Sequence, residues 1–153
     1  CTHCGTGYSE LEVEYQEKQD KLYFIKYPII NNKTNSKQAI IVATTRPETM
    51  FGDTAVAVNP KDKRYQDLVG KFVKLPLTNR EIPVISDEMV DINFGSGALK
   101  ITPFHSKADW EIASRHNLEM IQVIDFTGSM YSHALLYDVL KIIEASEKFV
   151  VNL

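Results

Sequence analysis

The chain has 153 residues, 44% of them hydrophobic and 24% charged, with a formal net charge of -3. That is enough chain to bury one core, and too little clustered positive charge to hold nucleic acid by bulk electrostatics. No apolar run is long enough to span a bilayer and no basic-then-apolar leader opens the chain, so membrane insertion and secretion are not expected and the cytoplasm is.

In chain order, the first feature is a single CxxC made by the two cysteines, Cys1 and Cys4. It carries half the ligands of a tetrahedral zinc site, and His3 between them does not supply a convincing further corner. The pair is either inert or half of a zinc knuckle whose partner lies elsewhere, with redox chemistry a third reading. A chain that opens on such a half-motif without an initiator Met reads as a piece of a longer polypeptide. Residues 1–7 are then the end of a linker or a zinc-knuckle-like half motif, residues 8–125 a domain core and residues 126–153 a carboxy-terminal segment.

Strand-like runs rich in β-branched and aromatic residues follow: Leu11 to Tyr15, Leu22 to Tyr27, Ala39 to Thr44, Ala55 to Val58, Phe72 to Leu75, Ile82 to Ile85, Ala98 to Thr102 and Ile121 to Ile124. The polar stretch Asn31 to Lys37 reads as a hairpin loop or excursion. A short helix is expected near Asp62 to Leu68 and a better one from Lys107 to His116. The latter starts at Ser106, with Asp109 three residues on in the manner of a capping box, and ends at Asn117. Leu136, Leu140, Ile143 and Phe149 recur at near-helical spacing, which predicts an amphipathic helix packing on the domain. Many short strands and few helices give a mainly β, α+β fold, a closed or barrel-like sheet with short peripheral helices.

Two blocks carry more than secondary structure. Thr44-Thr45-Arg46-Pro47-Glu48-Thr49, continuing through Met50-Phe51-Gly52-Asp53-Thr54-Ala55-Val56-Ala57-Val58, resembles the threonine-rich peptide of the editing domains of class I aminoacyl-tRNA synthetases for valine, leucine and isoleucine. Phe94-Gly95-Ser96-Gly97-Ala98-Leu99-Lys100-Ile101-Thr102-Pro103-Phe104-His105, followed by Asp109 and Arg115-His116-Asn117-Leu118, is similar to that family's other active-site segment. Gly52-Asp53-Thr54-Ala55, Arg80-Glu81-Ile82-Pro83 and Lys100-Ile101-Thr102-Pro103 look most like the valine branch. The HIGH and KMSKS signatures of the synthetic core do not occur, so ATP and Mg belong to the full enzyme, and no cofactor is expected here beyond zinc at Cys1 and Cys4 with outside ligands.

The resemblance implies hydrolysis of threonine wrongly esterified to the tRNA for valine. Threonine and valine are nearly isosteric, so an apolar synthetic pocket rejects the extra hydroxyl poorly, and a second site that hydrogen-bonds it reverses the preference. An aminoacyl ester is already activated, so such a site needs to orient substrate and water and stabilise the oxyanion more than it needs a nucleophile. The sequence agrees in having no GxSxG elbow and no complete metal motif. By resemblance the attacking group is water, assisted by a ribose hydroxyl of the terminal adenosine. The partners implied are the 3′ end of the valine tRNA carrying threonine and the rest of the synthetase, with the piece itself a monomer.

The residue roles come from the same resemblance, each beside a blander alternative. Asp109 anchors the α-ammonium, or is a first-turn helix cap only. Lys100 and Thr102 share one strand face and line the pocket, Lys100 toward the ester, phosphate or ribose and Thr102 toward the threonine side chain; alternatively that face is ordinary solvent surface. Arg46, biased to extended backbone by Pro47, binds substrate or the tRNA end, or pairs with Glu48. Thr44, Thr45 and Thr49 supply hydroxyls, and Phe94 walls the ligand or packs in the core.

Ser106 stands where the family usually has Asp; it keeps the helix cap but removes a charge from the ligand's surroundings. His105 is read as structural. A different class of function, a tRNA-positioning module without catalysis, follows from Ser106 together with Lys61, Lys63, Arg64, Lys71 and Lys74; those cations otherwise form a solvated face. A zinc-dependent interaction domain centred on Cys1 and Cys4 is the third possibility.

Overall fold

A computed structural model describes residues 5–7, 9–14, 16–17, 19–30 and 38–131. Cys1 and Cys4, the Asn31 to Lys37 loop and the helix expected between residues 134 and 149 all lie outside them.

Six strands and one α-helix make up the described fold, mainly β with α+β character: β1 (Tyr23–Pro28), β2 (Ala39–Thr44), β3 (Ala55–Val58), β4 (Phe72–Lys74), β5 (Glu81–Ser86), β6 (Ala98–Ile101) and α1 (Lys107–His116). β1 and β2 form an antiparallel pair in which Ile25 faces Val42 and Tyr27 faces Ile40. The other four form a sheet in the order β4-β5-β3-β6, with β3 parallel to β5 and antiparallel to β6. Every residue of β3, Ala-Val-Ala-Val, is buried, as an interior strand covered on both faces requires. An Ile29–Val73 bridge links the end of β1 to β4, and β2 lies beside β6.

The period-2 pattern sorts the side chains onto two cores. Ile25, Tyr27, Ile40, Val42, Val56, Val58, Val73, Leu75 and Val84 fill the larger one, which Val123 and Met130 also join. On the opposite face of β3, Ala55 and Ala57 leave room for Ile112 and Ala113 of α1 to pack with Ile101. Ser106 caps α1 by accepting the Asp109 N–H at 3.3 Å. At the other end Asn117 adopts a left-handed conformation, φ 51°, and Leu118 N–H returns to the Ala113 carbonyl.

Three expected elements take other forms. Of the run Leu11 to Tyr15, the described residues 11–14 hold no strand: Glu10–Glu12 is a 3-10 turn with Leu11 98% exposed, and Glu12 reaches back to accept the Ser9 N–H and hydroxyl. Asp62 to Leu68 is helical only at Gln66–Leu68; the Asp62 carboxylate instead takes the Arg64 backbone N–H and guanidinium. Ile121 to Ile124 forms no extended strand either. Only Ile124 bridges, to Met130 across a turn held by the Asp125 carboxylate. A fourth element was not expected: Pro47–Gly52 is a fully buried 3-10 helix, which Pro47 starts with its preset φ.

Candidate functional site

The end of β2, the Pro47–Gly52 helix, β6 and the start of α1 converge on a cavity of about 140 Å³. Thr44, Thr45, Arg46, Thr49, Lys100, Thr102, His105, Ser106 and Asp109 all border it, so two sequence blocks about 50 positions apart meet at one place. Asp109 is buried, and its Oδ2 accepts the Thr102 backbone N–H at 2.8 Å. That bond closes the exit of β6 onto the first turn of α1 and aims the carboxylate inward. Asp109 is therefore a ligand to the strand end as well as a first-turn acid, and Ser106 at the cavity edge keeps the helix start in place.

Lys100 and Thr102 do share a face, and it is not solvent surface: they are 6% and 1% exposed. The Lys100 ammonium donates to Thr102 Oγ1 at 2.6 Å, Thr49 Oγ1 at 2.7 Å and Asp53 Oδ1 at 3.2 Å. Thr102 in turn donates its hydroxyl proton to Asp53 at 2.6 Å, and Thr49 gives its own to the Arg46 carbonyl at 2.9 Å. Thr44 is buried and accepts the Arg46 N–H at 3.1 Å, while Thr45 is exposed at the mouth. Arg46 is also exposed; its guanidinium contacts Glu48 at 3.4 Å and the His105 carbonyl at 3.2 Å, bridging β2 to the Ser106 loop. The expected pairing with Glu48 thus exists and still leaves Arg46 on the rim.

Phe94 stands apart. It is 61% exposed, so it is not a core residue, and it borders a neighbouring hollow of about 220 Å³ that shares Ala43 and Leu99 with the polar cavity. Gly95, at φ +58°, lets that loop lie against β2, where a Cβ would come within 2.5 Å of the Ala43 Cβ. The Tyr65 hydroxyl on the Ser96 carbonyl and the Arg64 guanidinium on the Ile92 carbonyl hold the loop. Arg64, one of the cations considered for RNA, is thus engaged by Asp62 and by this loop.

His105 is a neutral structural residue. Its Nε2 accepts the Val123 N–H at 3.0 Å, and burial, followed by the positive charges of Arg46 and Lys100, lowers its pKa from 6.5 to about 4. With the ring nitrogen occupied it is poorly placed to act as a general base.

Sequence reasoning missed Asp53 and Tyr27. Asp53 is fully buried and accepts the Tyr27 hydroxyl at 2.7 Å on its other oxygen. Burial raises the Asp53 carboxyl above its ordinary value, against the opposing pull of Lys100, and raises the Tyr27 phenol well above its own. The signal was present in Phe51-Gly52-Asp53-Thr54-Ala55-Val56, where one charge interrupts an apolar run and has to find a partner inside. Gly52 permits the approach, since a Cβ there would meet Thr102 Cγ2 at 3.0 Å.

A larger hollow of about 510 Å³ beside Arg80, Glu119 and Tyr131 lacks such convergence, and the Arg80 guanidinium is committed to the carbonyls of Phe51 and Asp53. Among the described residues no cluster of His, Cys, Asp and Glu is suited to a metal ion, and no helix is long and apolar enough to cross a membrane.

Residues 63–148 match the family model described as leucyl-tRNA synthetase, editing domain. The whole chain is 49% identical to a stretch of the valine--tRNA ligase of Clostridium perfringens and 50% identical to one of Thermotoga maritima, in each case 17% of that protein's length. In structure it is similar to a leucyl-tRNA synthetase from Agrobacterium radiobacter solved with tRNA and LeuAMS, with TM-score 0.68 and 19% identity over 87% of this chain and 18% of that one. It is also similar to the structure GlLeuRS-CP1, with TM-score 0.58 and 18% identity over 86% of this chain and 84% of that one.

Proposed function

Since the chain belongs to the editing-domain family of the class I aminoacyl-tRNA synthetases, we propose that it edits for valine, hydrolysing threonine mischarged on the valine tRNA. The identity near 50% to valine--tRNA ligases favours valine over leucine or isoleucine. The observation that carries the activity is the cavity itself: about 140 Å³, the scale of an amino-acid side chain and its α-substituents, bordered by threonine hydroxyls and one buried carboxylate.

In this reading the substrate ammonium meets Asp109, whose Oδ2 is held by Thr102 N–H while Oδ1 takes the ligand. The threonine side chain enters toward Thr49 and Thr102, where its hydroxyl finds partners that valine leaves unsatisfied. Arg46 and Thr45 at the rim meet the ribose and phosphate of the tRNA 3′ end, and Phe94 flanks the adjoining hollow. Water attacks the ester carbonyl with help from a ribose hydroxyl, and the protein contributes position and polarity in place of a nucleophile. Lys100 acts through the cavity wall, because its donors are engaged by Thr49, Thr102 and Asp53.

The two sheets are parts of one barrel in this reading, supported by the Ile29–Val73 bridge on one seam and the adjacency of β2 and β6 on the other. The chain itself uses no cofactor; ATP and Mg serve synthesis elsewhere in the enzyme, any zinc at Cys1 and Cys4 has outside ligands, and the setting is the cytoplasm. Ser106 supports one alternative, a domain that positions tRNA without hydrolysis.

Deacylation of threonyl- and valyl-tRNA for valine by the full-length synthetase, with and without Asp109→Ala, separates the readings. Selective threonine release that Asp109→Ala abolishes supports editing, whereas binding of the charged tRNA with no acceleration of release establishes the positioning role instead.

A further inference from the structure

Beneath the cavity lies a closed hydrogen-bond knot whose directions are constrained. A lysine ammonium has three N–H donors, and those of Lys100 match three acceptors, Thr49 Oγ1, Thr102 Oγ1 and Asp53 Oδ1. A threonine hydroxyl has one proton. Thr102 spends its proton on Asp53, and Thr49 spends its proton on the Arg46 carbonyl. Asp53 can only accept, and the Tyr27 hydroxyl fixes its second oxygen at 2.7 Å. Thr49 and Thr102 therefore each have a lone pair and no proton to offer a ligand. Asp53 does not border the cavity, yet the proton of Thr102 runs to it.

We propose that Asp53 is a positioning residue that sets specificity: by drawing the Thr102 proton and one from Lys100, it makes the Thr102 face of the cavity accept hydrogen bonds only. The site then takes an aminoacyl ester whose side chain donates a hydrogen bond and turns away an isostere that only accepts. This inference rests on the editing reading above and specifies what that site reads, a donor and not merely a polar group. A buried acceptor facing an apolar or accept-only ligand loses its water without replacement, and this mismatch discriminates against the ligand.

The test uses the full-length synthetase and three valine tRNAs, esterified with threonine, with valine, and with 2-amino-3-fluorobutyrate in the threonine configuration. The fluorine is close in size to hydroxyl and cannot donate. Single-turnover deacylation by the unmodified enzyme is expected to be about 10- to 100-fold slower for the fluoro ester than for the threonyl ester, near the valyl rate. Asp53→Ala removes the acceptor and leaves the Thr102 proton free to turn toward the cavity. The threonyl-to-fluoro rate ratio should then fall about tenfold.

A purely structural role for Asp53 slows both substrates together and leaves the ratio alone, which would overturn the proposal. Equal rates on the threonyl and fluoro esters in the unmodified enzyme would overturn it without any variant, so a poorly folding Asp53→Ala does not remove the test. Absence of threonyl release from the unmodified enzyme is a different failure, that of the editing reading itself.

Discussion

Acid is expected to destabilise this fold through His105 before it reaches the Asp87 carboxylate. The ring is lodged between Val123 N–H, which it accepts, and the positive charges of Arg46 and Lys100, and its pKa falls from 6.5 to about 4. Between those values the unfolded chain binds a proton that the folded chain refuses, so stability is whole above pH 6.5 and is lost as pH falls toward 4. At about 1.4 kcal/mol per tenfold change in proton affinity, the displacement amounts to roughly 3 kcal/mol at most. Because the ring is only half-buried and faces exposed Arg46, screening reduces that to about 2 kcal/mol.

Denaturant unfolding at several pH values from 4 to 7.5, on the chain and on His105→Gln, isolates this contribution. Glutamine offers an acceptor to Val123 N–H and does not titrate, so subtracting the two profiles cancels every other ionisation. The difference should lie flat above pH 6.5 and fall by about 2 kcal/mol toward pH 4. A flat difference throughout, or a His105 ring that titrates near 6.5 by NMR, would refute the reasoning.

The Asp87 carboxylate takes both Arg115 and His116 at 3.0 to 3.2 Å and thereby moors the far end of α1, so Asp87→Ala should cost about 1–3 kcal/mol in unfolding free energy. Hydrogen bonds from Met89 N–H, Arg115 and His116 outweigh burial and lower the Asp87 pKa, so this contribution is present above 3.8 and disappears as pH drops through the lowered value, below the His105 window. Gly95→Ala should lower stability by about 1–2 kcal/mol, through its φ of +58° and the collision with Ala43, and should displace the Phe94 loop; thermal unfolding and the fluorescence of a reporter on that loop would register both. Ser106→Asp keeps the N-cap and places a second acid beside Asp109, so stability should change by no more than about 0.5 kcal/mol while threonyl ester release by the full-length enzyme rises. A melting shift of many degrees would contradict that account of the cap.

The parts legible in the sequence were those whose cause is local. The α1 boundaries, Ser106 at its start and Asn117 at its end, followed from capping chemistry carried by single residues. The strands Ala39–Thr44 and Ala55–Val58 followed from runs of β-branched and small apolar residues bounded by polar ones. Leu11 and Val13 alternate as well, yet alternation describes a strand only where another backbone is present to pair with it, and they are exposed.

The site divides along the same line. Asp109, Lys100, Thr102 and the Thr44 to Thr49 peptide were found because a recognisable segment carries each, and the fold brings those segments to one cavity. Asp53 escaped because its meaning is non-local: Tyr27 lies 26 positions away and Lys100 lies 47 away. Asp53 reads as an ordinary turn residue until Gly52 lets it slip beneath Thr102. A charge at the entry of a strand buried on every side has to be neutralised from elsewhere in the chain. Its partner here is a lysine placed by β6, the strand paired with β3, so the sheet register that builds the core also aligns the protons of the cavity wall.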